Sequence, residues 1–189
     1  MERFDYLTLD WLNEREACFS GKEEFQKRFG QQAKTLDCLK VIHELGKSYW
    51  EGWLLTQNTE LTLVLIDLGA DIHAHNGYAF FWATENNHFE LVKLLLEKGA
   101  DIRAHDGYAL CRAARNNHLN LVTLLLEKGA DIHAHDDYAL CWAARNNHHE
   151  MVKLLLEKGA NIHAYNGFTL RWAEKNKHFK VVELFKKVA

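Results

Sequence analysis

At 189 residues, 48% hydrophobic and 26% charged, the chain has room for one ordinary domain or a short repeat array and is too apolar for a disordered polymer. Its net charge is −3, and only residues 161–189, at +4, are basic, which argues against a chain that grips phosphates along its whole length. The longest apolar run, LTLVLIDLGA at 61–70, falls well short of the roughly 18 residues of a bilayer span.

The N-terminus, MERFDYLTLDWLNERE, puts charges where a signal peptide needs an apolar core, and Cys18, Cys38, Cys111 and Cys141 show no CxxC pairing. These features predict a soluble protein with free thiols in a reducing, cytoplasmic compartment. Across residues 1–40 the segments WLNEREACFSGKEEFQKRFG and TLDCLKVIHEL suggest two or three short helices, read as an N-terminal helical cap. Trp50 and Trp53 in SYWEGWLL are expected to pack this cap onto the first, degenerate copy of a repeat.

From residue 41 the chain repeats. DIHAHNGYAFFWATENNHFELVKLLLEKGA at 71–100 is followed without slippage by DIRAHDGYALCRAARNNHLNLVTLLLEKGA at 101–130 and DIHAHDDYALCWAARNNHHEMVKLLLEKGA at 131–160. A fourth copy, NIHAYNGFTLRWAEKNKHFKVVELFKKVA, fills 161–189, and the degenerate copy, ending NTELTLVLIDLGA, occupies 41–70. Each copy has the lengths of a turn and two short helices. Asn76, Asp106, Asp136 and Asn166 precede the first helix and are predicted N-caps. Asn87, Asn117 and Asn147 stand where the chain must reverse, and Gly69, Gly99, Gly129 and Gly159 close the second helix. One copy cannot bury its leucines alone, because each is worth only about 1.5–3 kcal/mol against roughly 1–2 kcal/mol of backbone entropy per ordered residue. Stacking of neighbours into a solenoid is therefore expected over 41–189. In the last copy the column Leu96, Leu126, Leu156 continues to Lys186, accompanied by Lys177, Lys180 and Lys187, a polar face suited to a capping repeat.

GADIHAHDDYALCWAARNNHHEMVKLLLEKGA resembles the ankyrin repeat, in which GAD-x-N-A, TPLH, LAA-x-x-GH and VVKLLLE-x-GA follow in order. The resemblance covers roughly 41–189 and implies an all-α ankyrin-repeat solenoid of stacked helix-turn-helix units. There are two departures. The usual repeat has 33 residues, so the finger here is three residues short, and TPLH has become YAFF, YALC, YALC and FTLR. Short DIHA-type copies are similar to those of giant viruses and of bacteria living in or on other cells. Residues 17–55 resemble a small helical module that precedes repeat arrays in some bacterial and phage proteins. The family binds proteins through a concave face of finger tips and first helices, and the resemblance implies no reaction and no cofactor.

The His-rich fingers invite a metal reading, since imidazole, carboxylate and thiolate are ligands that transition metals choose. The columns oppose it: His73, Arg103, His133, His163 in one and His75, His105, His135, Tyr165 in the other place an Arg, which cannot ligate, in mid-row. His88, His118, His148 and His178 match the family's second-helix His, whose role is hydrogen bonding between neighbouring loops. Cys111 and Cys141 are read as small packing residues about one repeat apart, roughly 10 Å, too far for a disulfide.

The partner-binding candidates are the positions that vary where the scaffold has no need of variation. They are Glu85, Arg115, Arg145 and Lys175 on the first helices, and Arg103, Asp137 and Tyr165 in the fingers. The column Trp82, Arg112, Trp142, Trp172 and the column Tyr78, Tyr108, Tyr138, Phe168 each admit a packing and a binding reading. Three of the four first-helix charges are positive, so an acidic patch on a protein partner would be complementary. The expectation is a non-catalytic protein-binding module, monomeric without its partner, acting as an inhibitor, immunity-type protein or effector. If an effector, it would work in the host cytoplasm. Two alternatives stay open: an enzyme or metalloprotein using the fingers or residues 1–55, and nucleic-acid binding through the basic last copy.

Overall fold

The computed structural model describes residues 6–8, 32–34, 55–56, 59–67 and 69–188, and the chain divides into two compact units, Met1–Ala79 and Phe80–Ala189. In the first, β1 (Tyr6–Thr8) and β2 (Gln32–Lys34) pair antiparallel, Tyr6 opposite Lys34 and Thr8 opposite Gln32. The helices expected over 11–30 and 35–45, and the packing of Trp50 and Trp53, lie outside the described residues. Helix α1 (Thr59–Asp67) is the second helix of the degenerate copy. Its buried Thr62 donates its hydroxyl to the Leu55 carbonyl at 2.8 Å, and Leu65 is wholly enclosed.

The remaining described residues are helices and turns: α2 (Ala74–Glu85), α3 (Phe89–Glu97), α4 (Tyr108–Arg115), α5 (Leu119–Glu127), α6 (Ala134–Arg145), α7 (His149–Glu157), α8 (Phe168–Lys175) and α9 (Phe179–Val188). From residue 59 on, the described chain is an all-α array. Within the second unit the helix pairs stack, first helix on first helix (α4, α6, α8) and second on second (α7, α9). Helices of eight to twelve residues are marginal alone in water, so this stacking holds them. The apolar triplets Leu91/Val92/Leu95, Leu121/Val122/Leu125 and Met151/Val152/Leu155 form one buried stripe per second helix. Small residues on the first helices, Ala109, Ala113, Ala114, Ala139, Ala143 and Ala144, are buried between the layers.

Both helices of a copy end the same way. Gly99 (φ +94°) donates its N–H to Leu96 and Ala100 donates to Leu95, the paired bonds of a left-handed C-terminal cap. Asn117 (φ 62°) and His118 repeat that pattern on Ala114 and Ala113 at the end of the first helix. The expected roles of Asn87, Asn117, Asn147 and the four glycines are therefore present as local backbone conformations.

The expected N-caps are not. The shortened finger turns on three consecutive left-handed residues: His75, Asn76, Gly77; His105, Asp106, Gly107; His135, Asp136, Asp137; and Tyr165, Asn166, Gly167. Asx side chains tolerate that region, so they sit within the turn rather than capping the helix. The helix N-termini at Gly107 and Gly167 receive no side-chain hydrogen bond. The finger is instead organised one position group earlier. Asp71, Asp101, Asp131 and Asn161 each accept, through Oδ1, the N–H two residues on, at 2.8–2.9 Å.

Candidate functional site

Neighbouring copies are tied at both ends of the first helices. At the loop end, His118 donates Nδ1–H to the Thr84 carbonyl (3.3 Å), His148 donates Nε2–H to Arg115 (3.0 Å) and His178 donates Nδ1–H to Ala144 (3.0 Å). His88 instead stacks on Trp82, ring centroids 4.8 Å apart. At the finger tips, His135 Nε2–H reaches the Asp106 carbonyl at 2.6 Å. Tyr165 gives its hydroxyl to the His135 carbonyl and its N–H to Asp136 Oδ2, both at 2.9 Å. His135, and His105 against Phe81 at 4.5 Å, thus join neighbouring copies, and among the described residues no three His, Cys, Asp or Glu side chains gather as a ligand set.

Asp137 is corrected from a partner-binding position to a buried one. It replaces the glycine of the other three fingers, is 3% exposed, and accepts the Asn161 N–H at 2.8 Å and His133 Nδ1–H at 3.2 Å. Its carboxylate joins the third copy to the fourth. Arg103 is exposed, with its N–H in the Asp101 turn.

The charged and aromatic first-helix residues form one connected row. Position fifteen of each copy meets position twelve of the next: Glu85 pairs with Arg112 at 3.4 Å, Arg115 lies over Trp142 at 4.5 Å, and Arg145 lies over Trp172 at 4.6 Å. Arg145 also lies 5.2 Å from Trp142, and Arg112 lies 5.9 Å over Phe81. The two columns change together. Where Arg112 interrupts the Trp column, the preceding copy offers Glu85 in place of an Arg. Trp142 and Trp172 are half-exposed and capped by guanidiniums, and Trp82 is half-exposed and stacked on His88.

The second aromatic column lies alongside. Tyr108 stacks on His135 at 4.1 Å and meets Tyr138 edge-on at 6.2 Å, while Tyr138 contacts Trp142 at 5.6 Å. Phe168, 44% exposed, packs at 5.9 Å on Trp172. Tyr78 belongs to the first unit, where its ring meets His75, and Lys175 is exposed at the end of α8. Phe81, His135 and Trp172 join this surface although the variable positions did not single them out. For Trp172 the signal was the recurrence of an Arg 27 residues ahead of a Trp, one repeat less about one helical turn; Phe81 and His135 carry no such signal.

Cys111 and Cys141 are both free thiols. Burial pushes Cys111 up from its ordinary 9.0 to about 11, and burial raises Cys141 as well. The neutral thiol favours the folded state below pH 9.0, and that contribution fades as pH rises through 11. At pH 7.5 iodoacetamide is expected to alkylate half-buried Cys141 ahead of Cys111, with Cys111 reacting only on unfolding or near its own pKa. Peptide mapping measures this, and equal rates in the folded protein would contradict the burial.

No curated protein matches the chain. The family model for ankyrin repeats, three copies, matches residues 54–136 and again 110–188. With that match spanning the stacked helix pairs and their tied loops, the chain belongs to the ankyrin-repeat family.

Proposed function

We propose that this protein is a non-catalytic binding module that takes a protein partner bearing an acidic patch on its first-helix face, and that it acts by occlusion as an inhibitor, immunity-type protein or effector in the cytoplasm. Ankyrin repeats are generally protein–protein interaction modules. The observation that carries the finer reading is the half-exposed row Arg115, Trp142, Arg145, Trp172 flanked by Tyr108, Tyr138 and Phe168. Trp, Tyr and Arg dominate measured interface energies. Neither Arg115 nor Arg145 has an ion-pair partner among the described residues, so both charges are available to a partner. Among those residues, too, no helix is long and apolar enough to cross a membrane.

The direct test is affinity capture from the native source with the whole chain as bait, followed by mass spectrometry. Recovery of one stoichiometric protein with an acidic surface is the expected result. Recovery of nucleic acid, or of no protein above a scrambled-face control, would overturn the reading.

A further inference from the structure

A pocket of about 240 Å³ lies between α4 and α6, lined by Tyr108, Cys111, Arg112, Arg115, Tyr138 and Trp142. It stands where Arg112 occupies the column that holds Trp82, Trp142 and Trp172 in the other copies. The Arg112 side chain reaches back to Glu85 and over Phe81, so no indole fills the space. The volume lies below the roughly 300–1,000 Å³ of small-molecule pockets and is of the order of one side chain.

The lining carries two guanidiniums and no carboxylate. Its thiol adds no opposing charge, because buried Cys111 stays protonated at neutral pH. Arg115 is held by its face over Trp142, and a stacked guanidinium keeps its N–H edge free for the two-pronged hydrogen bonding that matches a carboxylate. Arg112 is shared with Glu85 only through a half-exposed ion pair, which a second carboxylate can displace. Nucleic acid fits less well: bases need bare rings to stack on, and Trp142 already carries Arg115 at 4.5 Å and Arg145 at 5.2 Å.

We propose that this pocket is the anchor site for one Asp or Glu side chain of an acidic partner segment, held by Arg112 and Arg115 among the rings of Tyr108, Tyr138 and Trp142. It rests on the proposed first-helix binding face and names the chemistry that the face selects.

The test titrates the whole chain with acetylated, amidated hexaglutamate, followed by tryptophan fluorescence and calorimetry, with hexaglutamine and oligo-dT as comparisons. Saturable binding of hexaglutamate alone is expected. Arg112→Trp, which fills the pocket with the residue that the same column holds elsewhere, should weaken it at least about tenfold, as should Arg115→Gln. Arg145→Gln removes a charge of the same face that lies outside the pocket, and should weaken binding less than Arg115→Gln does. Glu85→Gln, which releases Arg112, should tighten it. Circular dichroism establishes that Arg112→Trp is folded, and Arg115→Gln decides the matter if it is not. Equal losses for Arg115→Gln and Arg145→Gln with none for Arg112→Trp would replace the pocket by a diffuse positive face, leaving the proposed function intact. Absence of hexaglutamate binding, or preference for oligo-dT, would overturn the pocket. Capture of a protein partner would then decide separately whether the binding face survives.

Discussion

Exchange of both Arg115 and Arg145 for glutamate is expected to weaken binding of the captured partner by about a hundredfold or more, since like charges brought together at an interface cost several kcal/mol. The same exchange removes three cation–π contacts, Arg115 with Trp142 and Arg145 with both Trp142 and Trp172. At about 0.5–1 kcal/mol each at exposed sites, the cost to stability is about 1.5–3 kcal/mol. The two effects separate in the measurement. Affinity is read at a temperature where circular dichroism shows the variant folded, and the melting curve reports the stability loss. Arg115→Gln with Arg145→Gln removes the same stacking without adding repulsion, so it should match the stability loss and show a smaller loss of affinity. Unchanged affinity in the folded glutamate variant would remove this face from the function.

Asp137→Ala is expected to cost about 2–4 kcal/mol of unfolding free energy, more than an ordinary surface change. Two physical causes add. The Asn161 N–H loses a charged acceptor at 2.8 Å and His133 loses its partner, where hydrogen bonds to charged groups are worth about 1.5–3 kcal/mol. Residue 137 is also left-handed, at φ 57°, a region that costs a β-carbon-bearing residue roughly 1–2 kcal/mol and that Asp tolerates better than Ala. Some of this loss is returned because a buried charge no longer has to be desolvated. Asp137→Gly restores the residue of the other fingers and relieves the backbone, but still leaves the Asn161 N–H unpaired, so it should fall between Ala and the parent. Asp137→Asn keeps an acceptor and the left-handed tolerance and should cost least. Urea unfolding orders the three variants, and an Ala variant as stable as the parent would show that the carboxylate does not join the third and fourth copies.

The contrast between Asp136 and Asp137 shows how far a local pattern carries. Both lie in the finger HAHDDYA of one copy, both are left-handed, and sequence alone offered the first as a helix cap and the second as a surface contact. Asp136 reaches instead to the Tyr165 N–H and Asp137 to the Asn161 N–H, 29 and 24 residues away. Neither role is written within one copy. Trp142 and Trp172 behave alike: they carry the hydrophobicity of core positions, yet they lie half-exposed beneath guanidiniums that the preceding copy supplies.

Much of what rests on bonds within a few residues is legible in the chain itself, the finger turns held by Asp71, Asp101, Asp131 and Asn161 excepted. The 30-residue period, two short helices per copy, and the left-handed closures at Asn87, Asn117, Asn147 and the repeat glycines follow from spacing and from which residues tolerate positive φ. The offset at which one copy sits on the next exists only in the folded array, and with it the pairing of position fifteen with position twelve, the burial of Asp137 and the pocket beside Arg112. The named pairings join residues 24 and 27 apart, and their existence depends on a stacking register that no single copy encodes, because many side chains across two helices set it together.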